Sequence, residues 1–398
     1  MTFVSVEARN HCTAVHSSRK FDEFDLPLNI QKVFDEAQHL GAHEMGCTDF
    51  ASGRFLGLMS DKLNILHAGI EIISDSDTHT IFKVLRNIGK ALPFLGDVDI
   101  KDLVDLSAAQ HSKTSGGMFF NQVSEYLSAH SIHTKILYAL VRENMADANT
   151  NLYSAALTGI AMAGQPHEAI ELALNDANSD CIDLSATALL MLGRMSYHWD
   201  KEPNLKNRAQ ETLKAMVHHS DSNISLQALK ALSNAAASQP ELVSELLAHA
   251  QLNNQTAVQV LCDFIYMNFE VIKDHPSLTE ILHALTDLSI EYTHDFDYVL
   301  SQLIKDGTHD QQIYDCLTIW MLKHPTNRIE NENLISCFNQ SLMELINKSL
   351  VSEYITRWLV SDERALGSAF SDLIGHLWVH GEHAKPGEAV KPILSLIF

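Results

Sequence analysis

Apolar residues return at intervals of three and four in run after run along this chain, and short polar clusters separate the runs. That period matches one face of a helix, so each run predicts an amphipathic helix. Ile30, Val33, Phe34, Ala37 and Leu40 trace the first face, and Gly41 is its expected stop. A mixed apolar stretch over 55–73 follows, in which 70–73 is short enough to be strand as well as helix. Ile81, Phe82, Val84, Leu85 and Ile88 mark another helix, ended by Pro93. Further helices are expected over 98–109, 118–127 and 136–141, with 112–117 as a loop. Towards the end, long helices are expected over 342–360 and 363–379, Ser361 and Asp362 capping the second and Gly381 stopping it.

Between Leu152 and Phe264 one pattern recurs four times. Leu152, Ala155, Ala156, Leu157 and Ile160 lead to a break at Gly164 and Pro166, after which Ala169 to Leu174 begins a second amphipathic run. Leu184, Ala186, Leu189 and Leu190 fall 32 positions after Leu152, Ser154, Leu157 and Thr158. Leu226, Ala228, Ala231 and Leu232 follow 42 positions later, and Val258, Val260, Asp263 and Phe264 another 32 on, with Asp263 as a mismatch. The ten extra residues are assigned to an insertion around 200–207. Periods of this size mean one helix pair per repeat, each obliged to stack on its neighbours because none buries its apolar face alone.

Polar turn residues (Asn175, Asp176, Asn178, Ser179 and Asp180, then Asp221, Ser222 and Asn223) precede each helix rich in Ala and Leu, and a short break leads to a second helix. This pattern resembles HEAT repeats. The stretch 164–174 would also pass for the second helix of a tetratricopeptide-like unit. The resemblance implies an all-α fold, a right-handed α-solenoid of stacked antiparallel helix pairs of the HEAT/armadillo kind. The expected organisation is an N-terminal tail over 1–25, a helical region over 26–145, HEAT-like repeats over 146–290, and helical repeats with a capping segment over 291–398. The apolar end, Ile393, Leu394, Leu396, Ile397 and Phe398, would cover the last repeat or bind a partner.

Composition narrows the function classes. The 28 Lys and Arg against 50 Asp and Glu give a net charge of −22. Residues 1–150 hold 13 basic and 19 acidic side chains, leaving −6, and the remainder hold 15 and 31, leaving −16. Nucleic-acid binding is disfavoured, since it draws on basic groups that neutralise phosphates, and a basic protein or peptide is the better partner. The six cysteines form no C-x-x-C pair, and the start of the chain lacks the apolar core of a secretory signal, so a cytoplasmic location is expected. No run reaches the length of a membrane span.

The strongest local charge run is Asp287, Glu291, Asp295, Asp297, Asp306, Asp310 and Asp315, against a single Lys305. It reads either as a solvated helix face or as a landing site for a basic partner. Two histidine groups have ligand-like spacing, His39 and His43 with Cys47, and His376, His380 and His383, although Gly41, Gly46 and Gly381 interrupt their helices. Within the HEAT-type class, the deoxyhypusine hydroxylases hold two irons with His-Glu dyads, and only His43-Glu44 and His167-Glu168 have that form here. The alkylpurine DNA glycosylases on similar repeats use a basic aromatic face, whereas Trp199, Trp320, Trp358 and Trp378 are scattered and the charge is opposite. No phosphate-binding loop, nucleophile elbow or H-E-x-x-H pair occurs. The expected function is a non-catalytic scaffold or adaptor that needs no cofactor, and the alternative is a metal-dependent or nucleic-acid-acting enzyme on the same frame.

Overall fold

The structure is a computed structural model in which the described residues are 29–42, 51–96, 98–114, 120–201, 203–252, 254–324, 338, 340–341, 356–363 and 366. Among them every regular element is helical. The tail 1–25, the stretch 43–50, most of 325–355 and the C-terminal residues from 367 lie outside, and with them His43, His376, His380, His383, Trp378 and the apolar end. No helix among the described residues is long and apolar enough to cross a membrane. Contacts divide the chain into two compact units, Met1–Thr212 and Leu213–Phe398, and the division falls inside the stretch read as repeats.

The first unit contains α1 (Ile30–Ala42), α2 (Ala51–Met59), α3 (Ile65–Ser74), α4 (Thr78–Ala91), α5 (Ile100–His111), α6 (Phe120–Ala129), α7 (Ser131–Glu143), α8 (Thr150–Met162), α9 (Pro166–Ala177) and α10 (Ile182–Arg194). The run 70–73, left open between strand and helix, is helical in α3, and Gly41 lies inside the last turn of α1. Side chains cap several starts: Asn64 accepts from the His67 N–H at 3.1 Å, and Asp77 from Thr80 at 2.8 Å. Helices two apart in the chain touch in succession, α2 with α4, α4 with α6, α6 with α8 and α8 with α10. Small residues permit this: a Cβ on Gly159 of α8 would stand 2.8 Å from the Leu127 Cβ on α6. Gly164 ends α8 at a φ of 84°, and the Gly164 and Gln165 N–H groups return to the carbonyls of Ala161 and Ile160, a Schellman stop that only glycine adopts without strain.

The second unit contains α12 (Ser222–Ala236), α13 (Val243–Ala250), α14 (Gln255–Met267), α15 (Phe269–Ile272), α16 (Leu278–Leu285), α17 (Thr293–Asp306) and α18 (Asp310–Lys323); α11 (Pro203–Val217) precedes them. Here α12 touches α14 and α14 touches α17, while α13 touches α16 and α16 touches α18. Asp221 caps α12, accepting from the Asn223 and Ile224 N–H groups at 2.9 and 3.1 Å.

The structure resets the register of the repeats. Ser185 Oγ donates to the Ala177 carbonyl at 2.7 Å and Ser225 Oγ to that of Val217 at 2.6 Å, each reaching back eight residues to the end of the preceding helix. The two serines are equivalent and 40 residues apart, so the expected offset of 42 is two too long. On this register Leu184 matches Ile224 and Leu192 matches Leu232, all buried, whereas Leu190 and Leu226 are only half-buried. The extra length is the 3₁₀ turn Ser196–Lys201 and the 15-residue α11. The next step is 33, from Ser222 to Gln255, and it pairs Asp263 with the exposed Lys230, which removes the mismatch.

Asp176, read from sequence as a turn residue, is fully buried in the last turn of α9. Its carboxylate accepts from Tyr138 Oη at 2.6 Å, Tyr153 Oη at 2.9 Å and Arg142 Nε at 2.7 Å, joining α7, α8 and α9. Burial, with this carboxylate against both hydroxyls, pushes the two phenols above their ordinary value of 10. The folded chain therefore holds protons that the unfolded chain releases from about pH 10, so stability is intact below that pH and falls as pH rises past it. Tyr153→Phe removes one of the two phenols and should flatten the fall in urea midpoint above about pH 10. Asp176→Ala strands the buried Tyr153 hydroxyl and should cost about 1–3 kcal/mol or more at neutral pH, and an unchanged midpoint would contradict this role.

Candidate functional site

The seven carboxylates of the acidic run do not share one surface. Asp297 is buried and accepts from the backbone N–H groups of Gln340 and Ser341 at 2.9 and 2.8 Å, so its charge is committed inside the unit. Asp287 pairs with Lys323 at 2.6 Å. Glu291 accepts from Ser289, Asp306 from Thr308 and Asp315 from Gln311, all at exposed positions. Asp310 starts α18, half-buried. Asp295 meets another carboxylate, and that neighbour, Asp263, stands outside the predicted run.

Asp263 lies on α14 and Asp295 on α17. One helical turn further along each, and hence on the same face, come Tyr266 and Tyr298. Their ring centroids are 5.1 Å apart at an interplanar angle of 58°, and they remain 40% and 37% exposed, too open to be core residues. Met267 beside them is 74% exposed. Because Asp263 faces Asp295 and Tyr266 faces Tyr298, the two helices run in the same direction along this contact. The intervening Phe264 and Phe296 are buried and fix the rotation of each helix, which is why Asp and Tyr point outward together.

Electrostatics show Asp263 only partly relieved by a cation. Partial burial and then the neighbouring Asp295 raise the Asp263 carboxyl above its ordinary value, while Lys230 on α12 pulls it the other way. The arrangement thus offers two adjacent carboxylates and two open aromatic rings, a combination that attracts cations by charge and by the ring faces.

His39 is exposed on α1, and its proposed companion His43 lies outside the described residues, as do His376, His380 and His383. His167 is exposed and Glu168 half-buried at the start of α9. Among the described residues no group of three or more His, Cys, Asp and Glu side chains is placed to hold a metal ion. Trp199, Trp320 and Trp358 are buried, the last two donating to the Leu288 carbonyl at 3.0 Å and to Thr318 Oγ1 at 2.9 Å.

No protein-family model matches the chain, and no curated protein does. The site was nonetheless written in the sequence: Asp-Phe-Ile-Tyr at 263–266 returns as Asp-Phe-Asp-Tyr at 295–298, 32 positions on. Counting charges found Asp295 and passed over the tyrosines.

A raised carboxyl value contributes stability below the ordinary carboxylate range that is lost as pH rises through the folded value, so at neutral pH the partial burial of Asp263, and then its approach to Asp295, oppose folding. Asp295→Asn should therefore lower the Asp263 titration midpoint, read by carboxyl ¹³C NMR, and raise the melting temperature at pH 7. An unmoved Asp263 titration would show that the two carboxylates do not interact.

Proposed function

We propose that the chain is a non-catalytic interaction module, a right-handed α-solenoid of HEAT-like helix pairs, that binds a basic protein or peptide segment on the face formed by Asp263, Tyr266, Asp295 and Tyr298. The observation that carries this reading is the duplicated Asp-Phe-x-Tyr on touching, same-direction helices. Two like charges held together oppose folding, and two tyrosines left open forgo burial. A partner supplying Lys or Arg offsets both: its cations pair with the carboxylates and lie over the rings, and its alkyl stems cover the apolar edge at Met267.

The solenoid part of the reading draws on the successive contacts between helices two apart and on the repeated serine hydrogen bonds. A face built from first helices of successive pairs extends with each repeat, which suits an extended segment better than a compact ligand.

The magnitude is modest and measurable. Exposed ion pairs contribute about 0.2–1 kcal/mol each and exposed cation–π contacts about 0.5–1 kcal/mol each, so two of each give about 1.5–4 kcal/mol. Selection of a random peptide library on the intact chain should enrich Lys- and Arg-containing sequences. Their affinity, by fluorescence anisotropy, should fall about two- to thirtyfold in the Asp263→Asn, Asp295→Asn double variant, which removes the two ion pairs, and again with rising salt. Enrichment of sequences without basic residues, or affinity indifferent to the double variant, would overturn the proposal.

A further inference from the structure

A second feature lies in the first unit and runs against the overall charge. A cavity of about 190 Å³ opens between the end of α1 and the outer face of α4, lined by Gln38 and Gly41 from the former and by Lys83, Arg86, Asn87 and Lys90 from the latter. The α4 residues are spaced three, four and seven apart from Lys83, so one helix face delivers all four to the cavity. Three cations in one small concavity are out of keeping with a chain of net charge −22.

Lys90, in the last turn of α4, is favoured there by the helix dipole. That reason does not extend to Arg86 and Lys83, which lie one and two turns earlier. Neither forms an ion pair or side-chain hydrogen bond among the described residues, and Lys83 exerts only a minor attraction on Asp77. Lys83 and Arg86, like charges one turn apart on the helix, repel each other, an arrangement that folding alone does not favour.

Asn87 supplies the independent observation. It is 5% exposed, lines the cavity, and makes no side-chain hydrogen bond among the described residues. A largely buried amide with no protein partner is left to hydrogen-bond whatever occupies the cavity, a role that an apolar residue of the same size could not fill. Gln38, also lining the cavity, is likewise without a side-chain hydrogen bond. Across from Asn87 the wall is a glycine: a Cβ at Gly41 would come within 3.3 Å of Asn87 Oδ1 and narrow the space.

We propose that this cavity is an anion site that takes a phosphate group, as a phosphate monoester or a diphosphate. Arg86 offers the planar fork that suits phosphate oxygens, Lys83 and Lys90 add point charges, and the Asn87 and Gln38 amide N–H groups complete the donor set. The volume is below the roughly 300–1,000 Å³ of pockets for drug-sized ligands, so the phosphate head is what the cavity encloses.

The test is calorimetric titration of the full chain with inorganic phosphate, pyrophosphate and O-phosphoserine at low ionic strength, on wild type, Arg86→Gln and Asn87→Leu. Saturable 1:1 binding is expected for at least one probe, weakened at least about tenfold in each variant. Tighter pyrophosphate binding would assign the site to diphosphates, and tighter phosphoserine binding to monoesters. Asn87→Leu carries the weight, because it breaks no hydrogen bond among the described residues and should leave the melting temperature largely unchanged, so lost binding there is not lost folding. Absence of saturable binding for all three probes, or affinity unchanged in Asn87→Leu, would overturn the assignment.

Discussion

Burial of helices on several sides at once governs this structure. On α8, Leu152, Tyr153, Ser154, Ala155, Ala156, Leu157, Gly159, Ile160 and Ala161 are all buried, which is most of the helix circumference. A helix covered that far round needs neighbours on more than one side, and α8 has them in α6, α7, α9 and α10. The small side chains at Ala155, Ala156 and Gly159 let those neighbours approach. In the second unit Ala228, Ala231, Ala235 and Ala236 do the same for α12. Contact between helices two apart therefore follows from where the alanines and glycines fall.

Polar groups then fix which packing is adopted. Ser185 and Ser225 tie the start of one helix to the end of the helix before it, and Asp176 locks three helices through two phenols and a guanidinium. Buried hydrogen bonds of this kind contribute modestly when made and cost more when broken, so they select one register over a slipped one. Asp297 serves the second unit in the same way by holding the backbone at 340–341.

The helical character and the 32-residue step were legible because apolar spacing of three and four reports helix faces directly. The next two steps were misjudged, 42 for 40 and 32 for 33, because Leu190 and Leu226 look like core residues and are only half-buried, and hydrophobicity alone does not say which side of a helix faces in. Asp176 looked like a turn because its buried partners, Tyr138 and Tyr153, come from helices 38 and 23 residues away. Of the acidic run, Asp295 stands at the candidate face, while Asp297, two residues on, points into the core. Charge counting weighs those two equally; the alternation of Asp, buried Phe and open Tyr separates them. The basic cavity escaped notice for a similar reason, since Lys83, Arg86 and Lys90 are spread over eight positions and converge only when the helix is formed.

The central claim is that two Asp-Phe-x-Tyr segments lie side by side and receive cations. Ring NMR of the intact chain with selectively labelled tyrosine tests it most directly, during titration with an oligolysine peptide. The account predicts a nuclear Overhauser contact between the Tyr266 and Tyr298 rings and concerted shifts of those two signals on peptide addition. Absence of the contact, or peptide-induced shifts confined to other tyrosines, would contradict it.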